Sequence, residues 1–221
     1  MKKNAGILKR VLIVDDHPVF RDGMRRMVEG DGIFTVCGEA GTAAEAMNEV
    51  THQKPDLLIL DLNLPGKSGL ELLQDIHAMM PELPVLVVSM HEEGLFAERV
   101  LRAGGRGYVM KMEGPEKIMS AVHRIMAGKV AVSEQMSSTI LDSLSRPAAK
   151  KGGSVISALT TREFEVFRLI GQGKDTHEIA DALHLSTKTV DTHRANIKTK
   201  LAVKNNTELV RQAVCWCGEQ G

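Results

Sequence analysis

Aromatic residues are scarce, at 3% of the 221 residues, with one Trp and one Tyr. That argues against a base-stacking platform for single-stranded nucleic acid. Cysteine is scarce too, with three in all, at positions 37, 215 and 217. This excludes a disulfide framework and fits a reducing compartment. Cys215 and Cys217 stand two apart, on different sides of a helix, and make a poor chelate. No run approaches the roughly 18 apolar residues of a membrane-spanning helix. Lys2, Lys3, Lys9 and Arg10 precede an apolar stretch of only residues 11–14 before Asp15, too short for a signal peptide. The expectation is a cytoplasmic protein with no membrane partner. Net charge is also missing, because 28 Lys+Arg balance 28 Asp+Glu. A uniformly basic nucleic-acid coat and an acidic disordered tail are both excluded.

The chain does have enough apolar residues (43%) to bury real cores. Its length suits one large domain or two modest ones. The balanced charge hides one basic stretch. Residues 186–211 hold Lys188, Arg194, Lys198, Lys200, Lys204 and Arg211 against Asp191 and Glu208.

Short β-branched runs at 10–14, 33–37, 57–60, 85–89 and 106–110 read as buried strands. Helical spacings lie between and after them. Pro18, just behind His17, opens the first helix, and Thr42 with Glu45 caps the second. Alternating strands and helices imply a parallel sheet with helices on both faces. Ligands of such sheets sit beyond the C-terminal strand ends. Asp15, Asp16, Asp61, Ser89 and Lys111 all fall there. Converging carboxylates repel unless a divalent cation sits among them, and an all-oxygen donor set favours Mg²⁺. A carboxylate so placed is a feasible nucleophile toward phosphorus. Lys111 would neutralise phosphoryl charge and Ser89 would hydrogen-bond a phosphoryl oxygen.

These residues, with the Pro65-Gly66-x-x-Gly69 loop and Tyr108, resemble the receiver domain of two-component response regulators over residues 8–128. The resemblance implies an α/β flavodoxin-like fold with a five-stranded parallel sheet. It makes Asp61 the phospho-acceptor, served by a cognate sensor histidine kinase or a small phosphodonor. Asp16 and Asp61 would ligate Mg²⁺ together with the Asn63 carbonyl, and Asp15 would act through a bound water. Ser89 and Tyr108 would be the switch pair, with Tyr108 turning inward. Met112 stands where many receivers have proline after the lysine.

Residues 129–154 read as a connecting helix over 133–144 and a flexible linker at 146–154. Residues 155–221 read as all helical. Thr160 with Glu163, Asp175 with Glu178, Ser186, and Asn205 with Glu208 mark four helix starts. On a helical wheel Val190, Ile197 and Leu201 fall within about 40° of one another. The opposite face carries Lys188, Thr192, Ala195 and Thr199, suited to a major groove. Lys188, Lys198, Lys200 and Lys204 can neutralise phosphates, and Ser186 sits at a helix N-terminus with free N–H donors.

The pattern Leu159-Thr160-x-Arg162-Glu163, Glu178-Ile179-Ala180, Leu185-Ser186-x-x-Thr189-Val190-x-x-His193-x-x-x-Ile197-x-x-Lys200-Leu201 resembles the LuxR-type helix-turn-helix of the NarL/FixJ family. The resemblance makes 187–201 the recognition helix on double-stranded promoter DNA. Lys188, Asp191, Thr192 and Ala195 would reach bases, with Thr189 in the same interface. His193, Arg194 and Lys200 would touch phosphate or the domain's own edge. Asp191 would accept from a cytosine amine or pair with Lys188 or Arg194. The last helix is a candidate dimer face.

The reading is a phosphorylation-dependent transcription regulator, not an enzyme, that forms a homodimer on activation. A DNA-binding regulator controlled by protein or ligand contacts, without phosphorylation, is the alternative. A phosphatase of the haloacid dehalogenase type needs Asp-x-Asp after the first strand, and Asp15-Asp16-His17 does not supply it.

Overall fold

The apolar run at residues 11–14 is fully buried in strand β1 (Lys9–Val14), as a strand covered on both faces must be. The structure is a computed structural model, and it describes residues 8–145 and 155–220. Strands β2 (Phe34–Ala40), β3 (Leu57–Leu60), β4 (Val85–Ser89) and β5 (Gly107–Met110) complete a parallel sheet. Its order is β2-β1-β3-β4-β5, the flavodoxin-like arrangement. Between the strands run α1 (Pro18–Gly30), α2 (Ala43–Gln53), α3 (Gly69–Met79) and α4 (Glu93–Arg102), and α5 (Pro115–Met126) follows the last strand. Right-handed crossovers place α1 and α5 on one face and α2, α3 and α4 on the other. On the first face Val11, Ile13, Ile59, Leu86 and Val88 pack with Met24 and Val28 of α1 and Ile118, Val122 and Ile125 of α5.

β2 is longer than its apolar run at 33–37. The ladder skips Cys37, pairing Val11 with Val36 and then Leu12 with Gly38. This bulge lets the strand continue through Gly38 and Glu39, which carry no apolar pattern. α3 starts on a capping box made by Ser68 and Glu71. It begins hard against the end of β3. A Cβ at Gly69 would lie 2.1 Å from the Asp61 carbonyl oxygen.

The segment after α5 is part of the same compact unit, which runs through Ser145. Ala131 bridges Gly107 in parallel, donating to the Arg106 carbonyl at 2.9 Å and accepting from the Tyr108 N–H at 2.8 Å. A Cβ at Gly107 would meet the Ala131 carbonyl oxygen at 2.6 Å, so the glycine makes this contact possible. Helix α6 (Glu134–Ser145) follows. The Ser133 hydroxyl accepts from the Met136 N–H, its own N–H donates to Glu93, and Met136 is buried. The linker expected at 146–154 lies outside the described residues.

The second unit holds α7 (Thr161–Gly171), α8 (Thr176–Ala182), α9 (Thr187–Lys200) and α10 (Asn206–Gln220). Thr160 and Asp175 each close a capping box with the glutamate three residues on, and Ser186 caps α9 by accepting from the Thr189 N–H. Phe164, Phe167, Ile170, Ile179, Val190, Ile197 and Leu209 are buried at its centre. Trp216 of α10 stands edge-on to Phe164, ring centroids 5.3 Å apart. In the turn between α8 and α9, His184 adopts φ 52°, a left-handed value that non-glycine residues rarely take.

Candidate functional site

At the C-terminal edge of the sheet, β1 ends in Asp15 and Asp16, β3 in Asp61 and β4 in Ser89. Asp15, Asp61 and Ser89 are buried. Lys111, directly after β5, reaches across to both acids. Its Nζ lies 2.5 Å from Asp15 Oδ2 and 2.7 Å from Asp61 Oδ2. The ammonium also stands 4.3 Å from the centre of the Phe20 ring, a cation–π contact. Arg21 of α1 donates to the Asp15 carbonyl at 2.5 Å, fixing the strand end that carries the two acids.

Burial pushes the Asp61 carboxyl above the usual carboxylate range. The Asp15 charge adds to that, and Lys111 and the Asn63 N–H oppose it without cancelling it. For Lys111 burial works toward a lower value, but Asp61 and Asp15 outweigh it and raise the ammonium. Two acids sharing one buried cation leave negative charge in excess, which is what a cation site needs. One oxygen each of Asp15, Asp16 and Asp61 and a ring nitrogen of His17 lie within 4.8 Å of one another. Three hard carboxylates suit Mg²⁺ better than a soft ion.

His17 starts α1, as its position before Pro18 implies. Its imidazole has a second role, with Nδ1 2.6 Å from Asp16. Sequence reasoning gives it no place in the cluster, although its adjacency to two acids is the available signal. Asn63 donates its N–H to Asp61 at 3.2 Å. Its side-chain oxygen meets His91 Nε2 at 2.9 Å, and the His91 ring stacks on Phe96 at 4.5 Å. His91 is thus tied to the loop that carries Asn63. Tyr108 is 1% exposed and donates its hydroxyl to the His91 carbonyl at 2.8 Å.

In the second unit α9 presents Lys188, Asp191, Thr192 and Ala195 to solvent on one face, opposite Val190 and Ile197. Ser186 is exposed at its start, and the Ser186 and Thr189 hydroxyls lie 2.8 Å apart. Lys198 and His193 are half-buried. Two basic residues that sequence offers as possible phosphate ligands are bonded inside the unit. Arg194 donates to Thr176 at 2.5 Å, and Lys200 pairs with Glu163 at 2.6 Å. Among the described residues no helix is long and apolar enough to cross a membrane.

Comparison with known proteins agrees with both halves. Residues 11–123 match the response regulator receiver domain family. Residues 157–213 match the luxR family of bacterial regulatory proteins. The chain is 37% identical over 205 residues to the transcriptional activator protein ExaE of Pseudomonas putida, covering 92% of this chain and 95% of that one. It is 32% identical over 209 residues to the oxygen regulatory protein NreC of Staphylococcus aureus, covering 93% and 96%. Among solved structures, the RcsB response regulator of Salmonella typhimurium aligns with TM-score 0.63 at 26% identity, over 94% of this chain and 98% of that one. RcsB of Salmonella enterica serovar Typhimurium bound to promoter rprA with the phosphomimetic BeF3- aligns with TM-score 0.60 at 28% identity, over 92% and 97%. A sheet rim with paired acids and a bridging lysine, a separate helix-turn-helix unit and full-length similarity to such regulators lead to one assignment: the chain belongs to the NarL/FixJ family of two-component response regulators, receiver domain plus LuxR-type helix-turn-helix, and regulates transcription by binding DNA.

Proposed function

We propose that Asp61 is the phospho-acceptor and that its phosphorylation by a cognate sensor histidine kinase controls promoter binding. The observation that carries this reading is Lys111, whose ammonium lies within 2.7 Å of buried carboxylates on two different strands. An Asp61 oxygen attacks phosphorus as the bond to the donor's leaving group breaks. Lys111 offsets the charge gathering on the phosphoryl oxygens, and the Ser89 hydroxyl donates to one of them. Asp16, Asp61 and the Asn63 carbonyl would hold Mg²⁺, with Asp15 acting through a water. When bound, the ion supplies positive charge to the transferring group. Tyr108 and Ser89 form the switch, because the Tyr108 hydroxyl is anchored on the loop that follows Ser89. Phosphorylation shifts a population already present, as receiver switches do. It favours a homodimer that sets two α9 helices on adjacent half-sites of cytoplasmic promoter DNA.

The test is incubation with acetyl phosphate and Mg²⁺ followed by native mass spectrometry. The expected result is one added phosphoryl group per chain, absent in Asp61→Asn, and a shift toward dimer. No mass gain on the wild type, or the same gain on Asp61→Asn, refutes the reading.

A further inference from the structure

Helix α9 carries four cations, Lys188, Arg194, Lys198 and Lys200. By charge alone all four could neutralise DNA phosphate, but geometry divides them. Lys200, in the last turn, meets Glu163 Oε2 at 2.6 Å in the first turn of α7. Glu163 is buried, and the same oxygen accepts the Thr160 N–H at 2.7 Å. The lysine therefore grips a carboxylate that the α7 capping box already fixes. Burial would raise that carboxyl, but hydrogen bonds from Lys200 and Thr160 hold it below its ordinary value. Arg194, in the middle of α9, donates to Thr176, the first residue of α8. Behind them Arg162, 4% exposed, binds Glu165 at 2.8 Å and reaches the Leu183 carbonyl at 3.4 Å, just before the turn.

Within α9 the buried apolar anchors are Val190 and Ile197, a narrow stripe. A helix seated on such a stripe can rock about it, and base-edge hydrogen bonds weaken steeply with misalignment. Ties at mid-helix and at the C-terminal end oppose that rocking. Drawing Lys200 away to a phosphate would also leave Glu163 buried and without its cation, at high cost. We propose that Glu163, Lys200 and Arg194 are positioning residues that set the pitch of α9 on α7 and α8, while phosphate neutralisation by this helix falls to Lys188 and Lys198.

Glu163→Gln separates the two roles. Glutamine serves the capping box as well as glutamate does, so α7 keeps its cap. The variant also removes one negative charge from the DNA-binding unit. Were Lys200 a phosphate ligand, the freed lysine and the removal of that charge would tighten binding; as a positioning pair, its loss weakens binding. The measurement uses the full chain, a duplex that the wild type selects from a random pool, and a scrambled duplex, between 50 and 200 mM salt. Glu163→Gln, Lys200→Met and Arg194→Met should each weaken the selected duplex by roughly three- to tenfold. The scrambled duplex should change by less than about twofold, and the slope of log K against log salt should stay as in the wild type. Lys200→Arg should restore binding. Lys188→Met should instead lower the slope by about 0.9 for each phosphate left without its cation. Tighter or unchanged binding by Glu163→Gln, or a fall in slope in Lys200→Met equal to that of Lys188→Met, overturns the proposal. The emission of Trp216, the single tryptophan, checks that α7 and α10 stay packed. If Lys200→Met disturbs it, Glu163→Gln and Lys200→Arg decide.

Discussion

Alanine at position 69 should destabilise the receiver unit, and the same change at position 23 should stabilise it. Both glycines are helical and neither has a positive φ. Helix propensity alone favours alanine by about 1 kcal/mol. At Gly23, exposed in the middle of α1, a new methyl meets nothing within 4 Å. The preference is then expressed as a gain of about 0.5–1 kcal/mol. At Gly69 the methyl would lie 2.1 Å from the Asp61 carbonyl oxygen and 2.6 Å from Leu62 Cα. A relaxed carbon–oxygen contact needs roughly 3.3 Å, so α3 and the end of β3 must part by about 1 Å. Both sides are main chain, and no rotamer change relieves the clash. Overpacking costs about 1–3 kcal/mol even where side chains adjust. Taking the upper end and subtracting the propensity gain leaves a net loss of about 2 kcal/mol. For a unit of this size that is a fall in Tm of roughly 4–8 °C. Tyr108 is the single tyrosine, so the ¹⁹F signal of fluorotyrosine-labelled protein follows the receiver alone. The displaced carbonyl belongs to Asp61 itself, so acetyl phosphate should also label Gly69→Ala more slowly well below its Tm. A Gly69→Ala chain that melts within about 1 °C of the wild type and is labelled at the wild-type rate refutes the reasoning.

Asp61→Asn should raise the Tm at neutral pH. The folded Asp61 carboxyl lies above its unfolded value, so stability is lost as the pH rises from the unfolded value, and the loss is complete above the raised one. The advantage of asparagine should shrink as pH falls through the raised value and vanish where both states are protonated; a lower Tm at pH 7 contradicts this. Arg162→Met takes one partner from Glu165, which is 0% exposed, and should destabilise the second unit by about 1–3 kcal/mol, read as loss of Trp216 emission at lower urea. Millimolar Mg²⁺ should raise the receiver Tm and be required for labelling by acetyl phosphate, and Asp16→Ala should abolish both effects, because binding to the folded state alone stabilises it.

The rim is legible in the sequence because each of its residues sits at the end of an apolar run, and a parallel sheet brings all such ends to one edge. Asp15, Asp16, Asp61, Ser89 and Lys111 need no more than strand order. β2 reads short because a bulge at Cys37 carries it on through residues with no apolar signature. The inner partners of Lys200 and Arg194 depend on how α7 and α8 pack against α9, and helix periodicity in one segment holds no information about that. Residues 129–132 read as connection because the run at 130–132 is only three residues long. Its pairing with Gly107 comes from the sheet edge it meets, not from its own propensity.

That pairing also decides where the receiver can be cut. Ala131 takes up the N–H of Tyr108 and the carbonyl of Arg106 at the outer margin of β5. A fragment ending at 128, the limit suggested by family resemblance, would lay those groups bare. An exposed strand margin is a template for pairing with another chain. Such a fragment should self-associate through β5, and one carried through Ser145 should stay dispersed.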